Sequence, residues 1–270
     1  MALKVRRASG ISLETLKALS ERPGVSGYEA PVRDLLRGLI EPYVDSVAVD
    51  TMGNLIAVID TVREGPYDDI ECDESVDCSE DANEGEIRRS VMARVSEKGS
   101  HRPVRVLLAA HMDEVGILIT HIERDGTLRF GCVGGIDASV LPAKRVLIGE
   151  NGVPGVILWK PIHLEKKNAE IKPPSVDSLF IDIGATDLDD AKKMVALGDF
   201  GVFATDFEQF GDGRAKGKAF DDRVGCLILA ELVKRRSIWA GGDKTGSASA
   251  TRDRGITVGF AFTVQEEVGL

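Results

Sequence analysis

The sequence predicts an α/β protein whose α/β part is interrupted by a β-barrel, and three observations carry that expectation. Val32, Leu35, Leu36, Leu39 and Ile40 recur at helical spacing. Apolar runs over 104–110 and 256–264 read as buried strands. Between them, from Gly116 to Phe210, short β-like runs with frequent Gly and Pro follow one another closely, as in a small barrel. With 270 residues, 43% hydrophobic and 29% charged, the chain can bury a substantial core as one large or two modest domains.

Taken in order, Leu13 to Ser20 reads as a helix. Ser26-Gly-Tyr-Glu29 has the spacing of a capping box ahead of the amphipathic helix, with Pro31 early and Pro42 as its stop. Asn54 to Ile59 reads as a strand after a Met-Gly turn. From Glu64 to Glu86 acidic residues crowd together with no Lys or Arg among them. Like charges at that density repel and leave little apolar surface to offset ordering, so 61–102 is expected to be a mobile surface insertion. It lacks the regular Asp spacing of a calcium loop.

Val104 to Ala110 is expected to be a buried strand ending at His111. The β-like runs are Ile117 to Ile122, Thr127 to Phe130, Arg145 to Ile148, Val153 to Leu158 and Leu179 to Ile183, with one helix near Asp187 to Ala196. Val224, Leu227, Ile228 and Leu232 mark a further amphipathic helix starting just past Asp221, and 241–254 reads as a polar loop before the last strand. The expected division is 1–116, a barrel over 117–214, and 215–270.

A formal net charge of -10 argues against a nucleic-acid or anionic-membrane binder. No run approaches the roughly 20 apolar residues needed to span a bilayer. The basic start lacks the apolar core of a secretory signal, so the cytoplasm is the expected compartment. Four cysteines, Cys72, Cys78, Cys132 and Cys226, lack the Cys-x2-Cys spacing of a zinc site and are expected to be free thiols. Cys72 and Cys78 are close enough in sequence to close a small loop under oxidising conditions.

Three clusters could carry chemistry. His111-Met-Asp113-Glu114 stands at a strand end, where an imidazole can bind a metal while a carboxylate holds its other ring nitrogen. A satisfied structural histidine is the commoner meaning at a strand end. Lys218-Ala-Phe-Asp221-Asp222-Arg223 precedes a helix: Asp221 is either an N-cap or a carboxylate bridging two metal ions, with Asp222 and Arg223 fixing the turn. Glu266-Glu267 follows the core run Phe260 to Val264. Two carboxylates at the mouth of a core strand call for a metal or an arginine nearby. Sites in open α/β sheets lie beyond the carboxyl ends of strands, which is where two of these clusters fall.

The set Ala-His111-Met-Asp113-Glu114-Val-Gly, Lys218-Ala-Phe-Asp221-Asp222-Arg223-Val-Gly and Val-Gln-Glu266-Glu267-Val-Gly resembles the glutamyl aminopeptidase / cellulase M family. Supporting stretches are Pro23 to Glu29, Asp50 to Leu55, Gly155 to Leu164 and Phe180 to Ala185. The resemblance covers nearly the whole chain outside 61–102 and 240–254. It implies a metalloaminopeptidase with a zinc-exopeptidase-like mixed sheet flanked by helices, and an inserted PDZ-like β-barrel used for dimerisation.

The resemblance also implies two divalent metal ions, zinc or cobalt first, peptide substrates, and a dimer-based homo-oligomer that is a dodecamer in the family. By the same resemblance His111 binds one metal, Asp221 bridges both and Glu267 binds the other. The catalytic pair is then Glu266, the general base, and Asp113, which orients His111. The family adds an Asp shortly after the Glu pair and a His much later; neither lies in this chain, so the last part of the hydrolase is expected to be missing. His121 and His163 are not expected to substitute.

Two other readings compete. One is a truncated, inactive subunit that keeps part of its fold and its dimerisation surface. The other is glycoside hydrolysis, whose two carboxyl groups stand on opposite sides of the scissile bond roughly 5 to 9.5 Å apart; it leaves His111 and Asp221 without a role.

Overall fold

The computed structural model describes residues 2–4, 12–60, 104–159, 173–239 and 256–270. The acidic 61–102 stretch, the 241–254 loop, Cys72, Cys78, His101 and His163 lie outside the described residues.

A four-stranded mixed sheet is built from β2 (Ser46–Val49), β3 (Leu55–Asp60), β4 (Val104–His111) and β13 (Ile256–Thr263) in the order β2-β3-β13-β4. β13 runs antiparallel to β3 and parallel to β4. Alternation decides its burial: Leu55, Ala57 and Ile59 of β3 and Val258, Phe260 and Phe262 of β13 are buried, while the residues between them are only half-buried. Each of the two phenylalanines contributes about 1.5–3 kcal/mol through that burial.

The helices α1 (Leu13–Glu21), α2 (Ala30–Ile40) and the long helix over Phe220–Lys234 pack into the same core through Leu16, Leu19, Val32, Leu36, Ile40, Cys226, Leu227, Ala230 and Val233. Ser12 caps α1 by accepting the Thr15 N–H at 3.1 Å.

The second core is a closed six-stranded antiparallel barrel: β5 (Gly116–Ile122), β6 (Leu128–Val133), β7 (Arg145–Ile148), β8 (Val153–Trp159), β9 (Leu179–Asp182) and β10 (Phe200–Phe203), in the order β10-β5-β6-β9-β8-β7. Closure leaves it no free sheet edge. The helix α3 (Leu188–Met194) packs on it, with Asp187 as N-cap. Two short strands, β11 (Glu208–Phe210) and β12 (Arg214–Lys216), pair with each other outside the barrel, and β12 also pairs with β1 (Ala2–Lys4). Tyr28 stacks on Phe200, ring centroids 4.0 Å apart, and its hydroxyl donates to Glu150 at 3.0 Å, so the barrel is tied to the loop before α2.

Two expectations fail here. Ser26 is not a cap: Gly27 takes φ +89° and the Tyr28 N–H closes a turn onto the Val25 carbonyl, so the helix cannot begin until Ala30, with Glu29 in the N-cap position. β4 is not a buried strand. Among the described residues it is the sheet's edge, paired only with β13, and Leu107 is 70% exposed with Val104 and Val106 also open. Beside it the long helix exposes Ile228 and Leu232, two of the four positions that marked it as amphipathic.

Candidate functional site

Parallel pairing of β4 with β13 brings the two strand ends to one place. Thr263 stands in register with His111, and the Met112 N–H donates to the Thr263 carbonyl at 2.7 Å. Both chains leave the sheet at their carboxyl ends, the side on which open α/β sheets carry their sites. The long helix packs against β4 and delivers Asp221 to the same point.

Asp113 organises this corner. It is fully buried, and its carboxylate accepts from Ser26 Oγ at 2.6 Å, from the Glu266 N–H at 3.1 Å and from the Glu267 N–H at 3.0 Å. Its Oδ1 also lies 3.3 Å from His111 Nδ1, an ion-pair contact without a well-formed hydrogen bond. The other ring nitrogen, Nε2, faces Asp221 Oδ1 at 3.3 Å and Glu266 Oε2 at 3.8 Å.

These contacts set the charges. Asp113, reinforced by Asp221 and Glu266, pushes the His111 imidazole up to about 9 although burial opposes it. At neutral pH the ring therefore carries both protons, and Nε2 donates to Asp221. Burial would raise the Asp113 carboxyl, but His111, Ser26 and the two backbone N–H groups outweigh it and bring it down to about 2. Burial raises Glu267 against the pull of His111.

Four of the five expected site residues are thus within 4 Å of His111 or are His111 itself: Asp113, Asp221 and Glu266 join it. Glu267 reaches the cluster through its backbone N–H on Asp113 and lines the adjoining cavity together with Asp221. The side chains of Asp221 and Glu266 are 84% and 60% exposed, so desolvation alone does not demand a cation beside Glu266.

The N-cap reading of Asp221 is not what the chain does. Asp221 and Asp222 have non-helical backbone angles, and it is Asp222 that accepts the Gly225 N–H, at 2.9 Å, to start the regular helix. A side chain on Gly225 would collide with that carboxylate.

Strain marks the same place. Among the described residues the non-glycine positions with positive φ are Ala143, Ala219 and Gln265. Ala219 precedes Asp221 by two residues, Gln265 precedes the Glu pair directly, and Ala143 lines the cavity beside them. Such conformations cost on the order of 1 kcal/mol each and persist where the surroundings over-determine them, typically at functional sites. The cavity measures about 620 Å³ and runs from Asp221 and Glu267 to an apolar wall of Ile136, Val140, Leu141 and Phe203 on the barrel side.

An imidazole nitrogen facing two open carboxylates suits zinc, cobalt or manganese in chemistry. The coordination sphere is not closed by these residues: among the described residues no group of three or more His, Cys, Asp or Glu is assembled for an ion. The donors fit; the set is partial.

Sequence reasoning missed Ser26 and Glu29 as parts of the site. Ser26 holds Asp113, and Glu29 Oε1 accepts the Gln265 N–H at 3.2 Å, fixing the turn before the Glu pair. Both lie in the Pro23 to Glu29 stretch, where the capping-box pattern offered a local explanation that hid the long-range one.

A family model described as M42 glutamyl aminopeptidase matches residues 90–270. The structure of a TET aminopeptidase from the marine sediment archaeon Thaumarchaeota archaeon SCGC AB-539-E09 superposes with a TM-score of 0.71 at 32% identity, covering 95% of this chain and 60% of that one. The TET1 peptidase of Pyrococcus horikoshii, whose structure is described as assembling into a tetrahedron or a large octahedral shell, gives 0.66 at 31% identity over 95% of this chain and 62% of that one. The glutamyl aminopeptidase of Lactococcus lactis is 26% identical over 264 residues, 95% of this chain and 60% of the relative. The chain spans between 59% and 61% of the length of the first curated relatives it matches.

Proposed function

The chain belongs to the M42 glutamyl aminopeptidase family, and from that premise we propose that its site removes N-terminal residues from peptides with the help of two divalent metal ions, zinc or cobalt first. One observation carries the reading: His111, Asp113, Asp221 and Glu266 converge at the carboxyl ends of β4 and β13, beside a cavity able to receive a residue side chain.

In this reading His111 and Glu267 would hold one ion each, and Asp221 would be the ligand shared by both. When bound, such ions polarise the scissile carbonyl and the attacking water. Asp113 keeps the His111 ring turned with Nε2 toward Asp221. Glu266, whose exposed side chain stands 3.8 Å from His111 Nε2 and is not needed to hold the turn, takes the proton from the water and passes it to the leaving amine. The apolar wall of the cavity receives the first side chain of the peptide.

By likeness to the Pyrococcus horikoshii peptidase, described as assembling into a tetrahedron or a large octahedral shell, the chain forms a homo-oligomer. The family resemblance further implies the barrel within 117–214 as its dimerisation unit, with 1–116 and 215–270 as the catalytic part. No helix among the described residues is long and apolar enough to cross a membrane. That fact is compatible with a cytoplasmic location, which remains part of the proposal.

Hydrolysis of aminoacyl chromogenic substrates, measured with added zinc or cobalt and with metal content followed in parallel, tests the reading. Glu266→Gln is expected to abolish turnover and to leave metal content unchanged; loss of both together overturns its role as base. A second reading, an inactive subunit that keeps its fold, is favoured by the unclosed ligand set. It predicts a folded chain that neither retains metal nor turns over substrate.

A further inference from the structure

Glu114 follows Asp113 directly, yet none of the chemistry above uses it. Its side chain is 3% exposed, and Oε1 accepts from Lys218 Nζ at 2.5 Å and from the Gly24 N–H at 3.1 Å. Lys218 is 8% exposed; its ammonium also donates to the Arg22 carbonyl, and its own carbonyl accepts from Ser20 Oγ at 2.6 Å. Arg223 is completely buried with Nη2 3.6 Å from the same Glu114 oxygen, and it donates to the carbonyls of Leu19, Arg22 and Gly24. Among the described residues its Nε has no hydrogen-bond partner.

A carboxylate and two cations taken out of water are weak evidence for stability, because a well-packed apolar trio of similar volume is often as stable. What such a trio would lack is direction. Lys218 and Arg223 bracket the turn that contains the left-handed Ala219 and the non-helical Asp221 and Asp222. Lys218 at one end of that turn is hydrogen-bonded to Glu114 Oε1, and Arg223 at the other stands within ion-pair range of the same oxygen. The backbone of Glu114 is itself fixed, its N–H donating to the Gly24 carbonyl at 2.9 Å.

We propose that Glu114 is a positioning residue: through Lys218 and Arg223 it clamps the 218–223 turn in the strained shape that presents Asp221 to His111. The effect on metal holding rests on the functional reading of Asp221; the effect on the backbone does not.

The test uses the full 270-residue chain and two readouts, amide hydrogen exchange by segment and the visible spectrum and affinity of added cobalt(II). Glu114→Gln and Lys218→Met are each expected to speed exchange over 219–223 at least ~10-fold while the barrel strands change less than about two-fold. Cobalt affinity is expected to fall by about 10–100-fold, the usual effect of losing an outer partner of a ligand.

Glu114→Leu combined with Lys218→Met removes both charges and guards against simple unfolding. If this neutral pair keeps the protection of 219–223 and the cobalt spectrum of the unsubstituted chain, the clamp is mere packing and the proposal fails. Exchange that rises equally in turn and barrel also overturns it. Should the unsubstituted chain take up no cobalt, the functional reading fails, while the exchange data still decide whether Glu114 positions the turn.

Discussion

The turn over 264–268 and the turn over 218–223 each bring a carboxylate to His111, and each enters through a non-glycine residue in the left-handed region, Gln265 at φ 59° and Ala219 at φ 52°. They are fastened differently. In the first, the Val264, Gln265, Glu266 and Glu267 N–H groups donate to Asn54, Glu29 and Asp113, so the main chain is held while the glutamate side chains stay out of the restraint. In the second, charged side chains are the fasteners and they meet on Glu114. The first arrangement satisfies main-chain donors; the second orients side-chain cations, which also donate to the carbonyls of Leu19, Arg22 and Gly24. Adjacent residues, Asp113 and Glu114, thus serve the two turns by two mechanisms.

The largest expected effect breaks the first arrangement at its hub. Asp113→Ala leaves the Ser26 hydroxyl and two backbone N–H groups without their acceptor, and hydrogen bonds to a charged group are worth about 1.5–3 kcal/mol each. Urea unfolding should show a loss of at least about 3 kcal/mol, with exchange rising over 264–268 more than over 218–223. Equal loosening of both turns would mean that Asp113 and Glu114 act as one unit.

Next comes pH, which probes the His111 end of the same hub. The imidazole is raised to about 9 in the folded chain from an ordinary value of 6.5, so its contribution is fully present below 6.5 and is lost as pH climbs through 9. For metal-free protein the loss should be on the order of 2–3 kcal/mol between those limits. Asp113, depressed to about 2, works in the opposite window: its contribution is present above 3.8 and disappears as pH falls through 2. The two shifts describe one pair and are not added. His111→Gln should flatten the alkaline limb. Metal affinity should run the other way and rise with pH toward 9, since the ring must shed a proton to become a ligand.

Gly24→Ala attacks the second arrangement without touching a charge. The added methyl would sit 2.6 Å from Arg223 Nη2 and 2.7 Å from Val32 Cγ2, and overpacking of this kind costs about 1–3 kcal/mol. Chemical denaturation should report that loss, with the extra exchange confined to 218–223. Ser26→Ala, which removes a single bond to the Asp113 carboxylate, should cost about 1.5 kcal/mol and leave 218–223 unchanged.

Much of the fold was legible because its signals are local. The helical spacing from Val32 to Ile40, the apolar run of β13 and the closely spaced barrel runs each report the environment of their own element. The edge position of β4 was not, since Val104 to Ala110 has the same composition whether it has one partner or two. The site shows the same divide. His111, Asp113, Asp221 and the Glu pair stand out as polar residues at element ends, but the partners that hold them are remote in sequence. Ser26 lies 87 positions from Asp113, and Lys218 lies 104 from Glu114. Ser26 fitted a capping box, and Asp221 fitted an N-cap, whereas the helix start is capped by Asp222.

The smallest predicted effect sharpens the comparison most. Ala219→Gly and Gln265→Gly each remove a left-handed side chain, and the relief is largely offset by the greater freedom of glycine in the unfolded chain, so each should change stability by less than about 1 kcal/mol. In combination they should diverge. A glycine at 219 adopts φ 52° without force, so it should restore part of the exchange protection that Glu114→Gln removes from 218–223. A glycine at 265 should restore nothing in Asp113→Ala, because the Glu266 and Glu267 N–H groups still lack an acceptor. Rescue at 219 and none at 265 would separate a clamp that opposes strain from an anchor that satisfies donors. Identical behaviour at both positions would show that the two turns are held by the same means after all.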